Sequence, residues 1–401
     1  MDTLSTAAPD ASTIGARGEL AEVTFSDPIR MGLESLNEML HYCLANGVED
    51  LILQSGSPWS VIWSSRVVYR GSRKLTTEEL ESLVNLMTSN PNASLDLIRA
   101  EPCDFNYSLN IGRGVHVRFR SSATGCLGLH GKSGLEIVMR PSTSQTPTMD
   151  DLEVPTYIRD NCMPSTGIVL ICGPTGSGKT TLLDSILREH ATAEQGRHIL
   201  TFFSPIENDL NNIPDRTGII SQCEIGRQGY GAHLQSYSDA VRNFLRRHPH
   251  VVVFGEARDK ETIEGAVFAS MTGHSTYTTT HTSNVHMAIA RMADVFSGSD
   301  RVRITNALID NTRLIVHQRL LRRPNNIGRC AIQSALALTM DMRSELLATP
   351  IDLMPSLIHR FTKDHGISLI DDAQRQYERG LIHGNEMIAL EAEMKADRLA
   401  S

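Results

Sequence analysis

The rhythm of apolar residues changes along the chain. From Ile29 to Leu44 they recur at helical spacing, at Leu33, Leu36, Leu40, Cys43 and Leu44, and Asn46-Gly47 supplies a stop, which predicts an amphipathic helix. "EDLILQS", "SVIWSS" and "RVVYRGS" then read as short strands, and "LTTEELESLVNLM" as a helix opened by a Thr76-x-x-Glu79 capping box. "CDFNYSLNIGRGVHVRFRSS" predicts a hairpin turning at "NIGRG", followed by one more strand, "GLEIVMRP". The first 140 or so residues therefore form a mixed α/β domain, placed at 27–142, behind a polar stretch at 1–26 that lacks apolar periodicity and reads as a mobile tail.

A polar, proline-interrupted linker at 143–148 separates this domain from a different pattern. In 149–340, buried-type strands such as "GIVLICG" and "HVVVFGE" run apolar without alternation between helical segments, as in a parallel sheet covered on both faces. Residues 341–401 are helical in pattern throughout and form an extension. The class is α/β, and no internal repeat is present.

Composition narrows the function. A net charge of -8 argues against a protein that tracks along nucleic acid, and no sequence-specific nucleic-acid binding is expected. Seven scattered cysteines without a C-x-x-C pair point to reduced thiols. No run reaches the roughly 20 apolar residues of a membrane helix, and "MDTLSTAAPDAS" has no signal-peptide pattern, so a cytoplasmic protein without direct membrane insertion is expected.

The chemistry concentrates in the second domain. "GPTGSGKTT", comprising Gly173, Pro174, Thr175, Gly176, Ser177, Gly178, Lys179, Thr180 and Thr181, lies between a buried strand and a helix, the context a P-loop requires. Its glycines let backbone N–H groups wrap a phosphate, Lys179 is expected on the β and γ phosphates, and Thr180 offers its hydroxyl to Mg²⁺ on ATP. Glu256 ends "HVVVFGE", read as a strand beside the P-loop strand, and is the candidate to hold that magnesium through water. Glu207 in "FFSPIEND" is a candidate to orient the attacking water, only slightly ahead of Asp209 on spacing. In "MTGHSTYTTTHTSN", His274 and His281 flank a threonine-rich strand and are candidates to sense the γ-phosphate, with Thr280 and Thr282 as further phosphate contacts.

"GPTGSGKTT", "PIE", "VVVFGEARDKETIEGA" and "TGHSTYTTTHTSNVHMAIARM", in that order, resemble the secretion and twitching-motility ATPases, and the resemblance spans about residues 30 to 385. It implies a PAS-like N-terminal domain and a RecA-like P-loop ATPase domain, assembled as a homo-hexameric ring with ATP at subunit boundaries. It implies a catalytic role for Glu207, a Walker B role for Glu256, and a His box of His274 and His281. It also implies an arginine reaching ATP from a neighbouring N-terminal domain, with Arg118, Arg120 and Arg140 as candidates.

The chain departs from the family pattern where Ser204 replaces an acid before Pro205 and where His248 and His250 flank Pro249. "TPIDLMPSLIHR" stands where the retraction motors carry Ala-Ile-Arg-Asn-Leu, and Pro355 is expected to alter that helix. Together with "LHGKSGLEIVMRP", this brings the chain nearer the Dot/Icm-type (type IVB) secretion ATPases and their counterparts in plasmid conjugation. The implied function is a cytoplasmic ATPase recruited to an inner-membrane secretion or conjugation complex. A pilus retraction or assembly motor and an ATP-regulated docking ring with little turnover are the alternatives.

Overall fold

The cap of the helix that follows Thr76 ties distant segments of the first unit together. The computed structural model describes residues 20, 22–23, 26–63, 66–112, 115–128, 131, 133–142, 146–226, 232–324 and 328–400. One unit comprises residues 1–144 with 205–209 and 226–233, and the other comprises the remainder.

In the first unit, α1 (Leu33–Ala45), α2 (Thr77–Thr88) and α3 (Ala93–Ile98) accompany six strands: β1 (Asp50–Gln54), β2 (Ser60–Trp63), β3 (Arg66–Tyr69), β4 (Cys103–Gly112), β5 (Val115–Leu127) and β6 (Ser133–Pro141). The strands form one sheet in the order β3-β2-β1-β6-β5-β4, with antiparallel neighbours. Along β5, Val117, Phe119 and Ser121 are buried while His116 and Arg120 are exposed, the alternation of a sheet with one face on the core. Leu36 and Leu40 of α1 and Leu80 and Leu83 of α2 fill that core with Leu51, Phe105, Phe119 and Met139.

Most of the tail expected at 1–26 and residues 143–145 of the expected linker lie outside the described residues. Leu20 and Val23, which fall within that expected tail, are partly buried against the core.

Glu79, the third residue of α2, completes the capping box with Thr76 and also accepts from Met31 N at 2.9 Å. Arg73 grips both of its oxygens, at 2.6 and 3.0 Å. Burial works to raise the Glu79 carboxyl, but the hydrogen bonds from Arg73, Thr76 and Met31 prevail and lower it from 4.5 to about 2. A depressed carboxyl stabilises the fold fully above its unfolded value of 4.5, and that contribution is lost as pH falls through about 2. Glu79→Gln is expected to cost this unit about 2–3 kcal/mol at neutral pH, since a buried charged acceptor is removed. Urea unfolding followed by tryptophan fluorescence reads this unit selectively, because Trp59 and Trp63 are the chain's two tryptophans. A loss of only a few tenths of a kcal/mol would contradict the assignment.

The second unit is built on seven strands: β7 (Gly167–Cys172), β8 (His198–Phe203), β9 (Ile219–Glu224), β10 (Val251–Phe254), β11 (Ser275–Thr280), β12 (Thr312–Arg322) and β13 (Arg329–Ala337). Its helices are α4 (Thr156–Asn161), α5 (Lys179–Thr192), α6 (Tyr237–Phe244), α7 (Lys260–Met271), α8 (Ala288–Ala293) and α9 (Gly298–Asn311), then α10 (Met340–Leu347), α11 (Met354–His365), α12 (Leu369–Glu378) and α13 (Gly384–Ala400). Sheet order is β13-β12-β7-β11-β10-β8-β9, parallel throughout except for the β12–β13 hairpin. Every residue of β7, β10 and β11 is buried, as expected where helices cover both faces.

Two expectations change here. The strand that ends at Glu256 is not beside the P-loop strand, because β11 lies between β7 and β10 and bonds to both. Its sequence, "STYTTT", carries no apolar run, yet its hydroxyls are accommodated inside the sheet; Thr279 Oγ1, for instance, donates to Gly255 O at 2.7 Å. Pro355 stands in the first turn of α11, where a missing N–H costs nothing, and the helix continues to His365.

The seven cysteines are free, and burial pushes the thiols of Cys43, Cys162 and Cys172 up to about 12. Among the described residues, no helix is long and apolar enough to cross a membrane.

Candidate active site

The loop that follows β7 is shaped by three glycines. Gly173, Gly176 and Gly178 have φ of 150°, 74° and 79°, backbone conformations that L side chains rarely adopt. A Cβ at Gly173 would lie 2.4 Å from Gln318 O, whereas one at Gly176 would meet nothing within 4 Å. The loop is thus pressed against β12 at one end and open at its crest.

Ser177 is buried there, its hydroxyl without a hydrogen-bond partner among the described residues, and Thr180 and Thr181 stand half-buried in the first turn of α5. Pro174 and Thr175 are exposed on the outer arm of the loop. Backbone N–H groups at the start of a 14-residue helix, together with an unbonded hydroxyl and a cation, suit a phosphate chain.

That cation is Lys179, only 8% exposed, whose Nζ donates to the carbonyls of Gly173 and Pro174 at 2.9 Å each. His281, one residue beyond β11, holds Nδ1 3.5 Å from Lys179 Nζ and Nε2 3.0 Å from Glu256 Oε1. With its proton on Nε2, the ring donates to Glu256 and turns a lone pair toward Lys179. Glu256 follows Gly255 at the end of β10 and also binds Arg258 Nε at 2.7 Å. Lysine, imidazole and carboxylate therefore form a row across the ends of three adjacent parallel strands, β7, β11 and β10. The carboxyl ends of strands are where ligands bind in open α/β sheets.

His274 does not join this row. It precedes β11, and its carbonyl accepts from Gly167 N at the start of β7. Six intervening strand residues at about 3.3 Å each put it on the order of 20 Å from His281. There its Nδ1 lies 3.0 Å from both Ala269 O and Thr272 Oγ1, and its ring meets Phe244 edge-on at 5.3 Å. Thr282 Oγ1 donates to Asn284 O at 3.2 Å, and Thr280 is buried.

Glu207 belongs to the first unit, where Arg120 Nη1 donates to its Oε1 at 3.1 Å. Both side chains are about half exposed, so the pair is available to a ligand. Arg118 and Arg120 lie two residues apart on β5, and Arg140 stands opposite Arg120 on β6, which puts all three on the same sheet face. Arg140 is engaged by Asp50 through two bonds of 2.8 and 2.7 Å.

Magnesium would be held by the Thr180 hydroxyl and, through water, by Glu256. Among the described residues no cluster of three or more His, Cys, Asp or Glu is placed to cage a metal. Gln318 was missed by sequence reasoning. Its signal is faint, a primary amide within the apolar strand "RLIVHQRLL".

A model of the family described as "Type II/IV secretion system protein" matches residues 72–348. The chain belongs to this secretion-protein family. Within it, the type IV pilus ATPase PilU of Pseudomonas aeruginosa is 28% identical over 378 residues, covering 91% of this chain and 94% of that one. The crystal structure of the Legionella pneumophila ATPase DotB is similar with a TM-score of 0.77 and 32% identity, over 93% of this chain and 99% of that one. The pilus retraction motor PilT, solved with bound ADP, gives a TM-score of 0.73 and 25% identity over 88% and 96% of the two chains. The type II secretion system ATPase E of Vibrio cholerae is 31% identical over 303 residues, covering 72% of this chain and 54% of that one, so secretion and pilus ATPases are both among the relatives.

Proposed function

We propose that the protein hydrolyses ATP to drive a type IVB secretion or conjugal transfer apparatus, as a homo-hexameric ring recruited to the cytoplasmic face of the inner membrane. The observation that carries the chemistry is the row Lys179–His281–Glu256 beneath an open glycine loop. Likeness to DotB across nearly the whole chain supports the choice of machine.

In this reading the loop amides and Lys179 bind the β and γ phosphates, and Lys179 leaves its carbonyl partners to do so. His281 touches both the lysine and Glu256, so it transmits the presence of the γ-phosphate from one strand end to the next. Glu207 orients the attacking water and takes its proton, with Arg120 keeping the carboxylate in position. Arg118, Arg120 and Arg140 form a basic face from which one arginine stabilises charge on the transferring phosphoryl group of a neighbouring subunit. Magnesium, when bound with ATP, neutralises phosphate charge.

A pilus retraction or assembly motor is the second reading, favoured by the likeness to PilU and PilT. Deleting the gene in its own host separates the two. Loss of DNA or protein transfer with pili and twitching intact is the expected result, restored by the wild-type gene. Loss of pilus function with transfer intact would overturn the choice of machine.

A further inference from the structure

A chain of buried polar groups runs from the glycine loop to the helical extension. Gln318 on β12 stands directly opposite Gln333 on β13, and both are buried. Gln318 Nε2 donates to the Ser177 carbonyl at 2.7 Å, and Gln333 Nε2 donates to Gln318 Oε1 at 2.7 Å. Gln333 N donates to Asp372 Oδ2 on α12 at 2.8 Å. Asp372 is itself buried and accepts from Arg375 Nε at 2.8 Å, while Arg375 Nη2 donates to the Glu153 carbonyl at 3.2 Å.

Packing alone does not call for amides here. Neighbouring β12 positions Leu314, Ile315 and Val316 are apolar and buried, and a buried amide is costly unless it is bonded. The amides are spent on one carbonyl of the glycine loop. Because a peptide group is planar and trans, the Ser177 carbonyl and the Gly178 N–H point in opposite directions. Gln318, by holding that carbonyl, turns the Gly178 N–H away from β12. A Cβ at Gly178 would also lie 2.9 Å from Gln318 Nε2, so the loop is moulded closely on this residue at both Gly173 and Gly178.

We propose that Gln318 is a positioning residue for the glycine loop, and that Asp372, acting through Gln333, makes the helical extension part of the apparatus that sets nucleotide affinity. The proposal rests on reading residues 173–180 as the phosphate-binding loop. A displacement of α12 then reaches the nucleotide through three hydrogen bonds.

The test uses the full chain with Gln318→Leu, Gln333→Met, Asp372→Asn and Asp372→Leu. It measures binding of a fluorescent ADP analogue and, in protein without nucleotide, amide hydrogen exchange across 173–178. Gln318→Leu is expected to weaken ADP binding about tenfold, the equivalent of one hydrogen bond, and to speed exchange in the loop. Asp372→Leu is expected to do the same in smaller measure, whereas Asp372→Asn, which keeps an acceptor for Gln333 N, stays near wild type. The double variant Gln318→Leu/Asp372→Leu is expected to be no worse than Gln318→Leu alone, because the two act in series. Gln333→Met carries the same prediction should Gln318→Leu fail to fold. Arg360→Ala, which breaks the exposed 2.8 Å pair with Glu345 in the same extension, is the unaffected control.

Unchanged exchange in Gln318→Leu or Gln333→Met, or independent multiplying effects of the two leucine variants, would overturn the relay. Failure of the wild-type protein to bind ADP would overturn the ATP-site reading instead, with the exchange result still deciding the relay.

Discussion

Lys179→Ala is expected to lose nucleotide binding and hydrolysis together, with ADP affinity reduced at least ~100-fold and turnover abolished. The ammonium group is buried at the loop, within reach of the Gly173 and Pro174 carbonyls and the His281 ring, so a cation already stands beside the place the phosphates would take. Such preorganisation is what makes a buried charge effective toward an anion. Fold stability is expected to fall by about 1–3 kcal/mol, because the Gly173 carbonyl, at the buried end of the loop, loses its partner. Titration with a fluorescent ADP analogue, beside a thermal melt, checks both statements. A variant that still bound ADP like the wild type would mean that the loop amides alone suffice.

Glu256→Gln separates binding from chemistry. The amide keeps the size of the side chain and an oxygen that still accepts from His281 Nε2, but it carries no charge toward magnesium. Nucleotide affinity should therefore stay within a few-fold, and turnover should fall by about 10²–10³, the range seen when a single electrostatic group is removed from a catalytic site. Stability should hardly move, since the lost ion pair with Arg258 is exposed on the arginine side and such pairs contribute about 0–1 kcal/mol. Wild-type turnover in this variant would reduce Glu256 to a structural partner of Arg258 and His281.

The glycine loop was legible in the sequence because its signal is local: glycine spacing, a preceding apolar strand and a following helix. Glu79 and Thr76 were legible for the same reason, lying three residues apart on one helix turn. What the sequence hid depends on strand order and register. A strand of one serine, four threonines and one tyrosine, fully buried between β7 and β10, has the composition of a surface strand, so its place in the sheet is invisible to hydropathy. His274 and His281 look like a pair seven residues apart, but the extended strand between them carries His281 to the row and leaves His274 at the opposite end of the strand. Arg120 and Glu207 are 87 positions apart and Gln318 and Ser177 are 141 apart, so only the folded chain brings each pair together. Tertiary placement also decided Pro355, which starts a helix rather than distorting one.

The most direct measurement is magnesium-dependent phosphate release per subunit across a wide range of protein concentration, with Glu256→Gln run in parallel. If turnover per subunit rises steeply with concentration and is lost in the variant, the active sites are completed between subunits of a ring and Glu256 serves the bound nucleotide. If turnover per subunit is constant and the variant retains it, each chain works alone and the ring ATPase account is wrong.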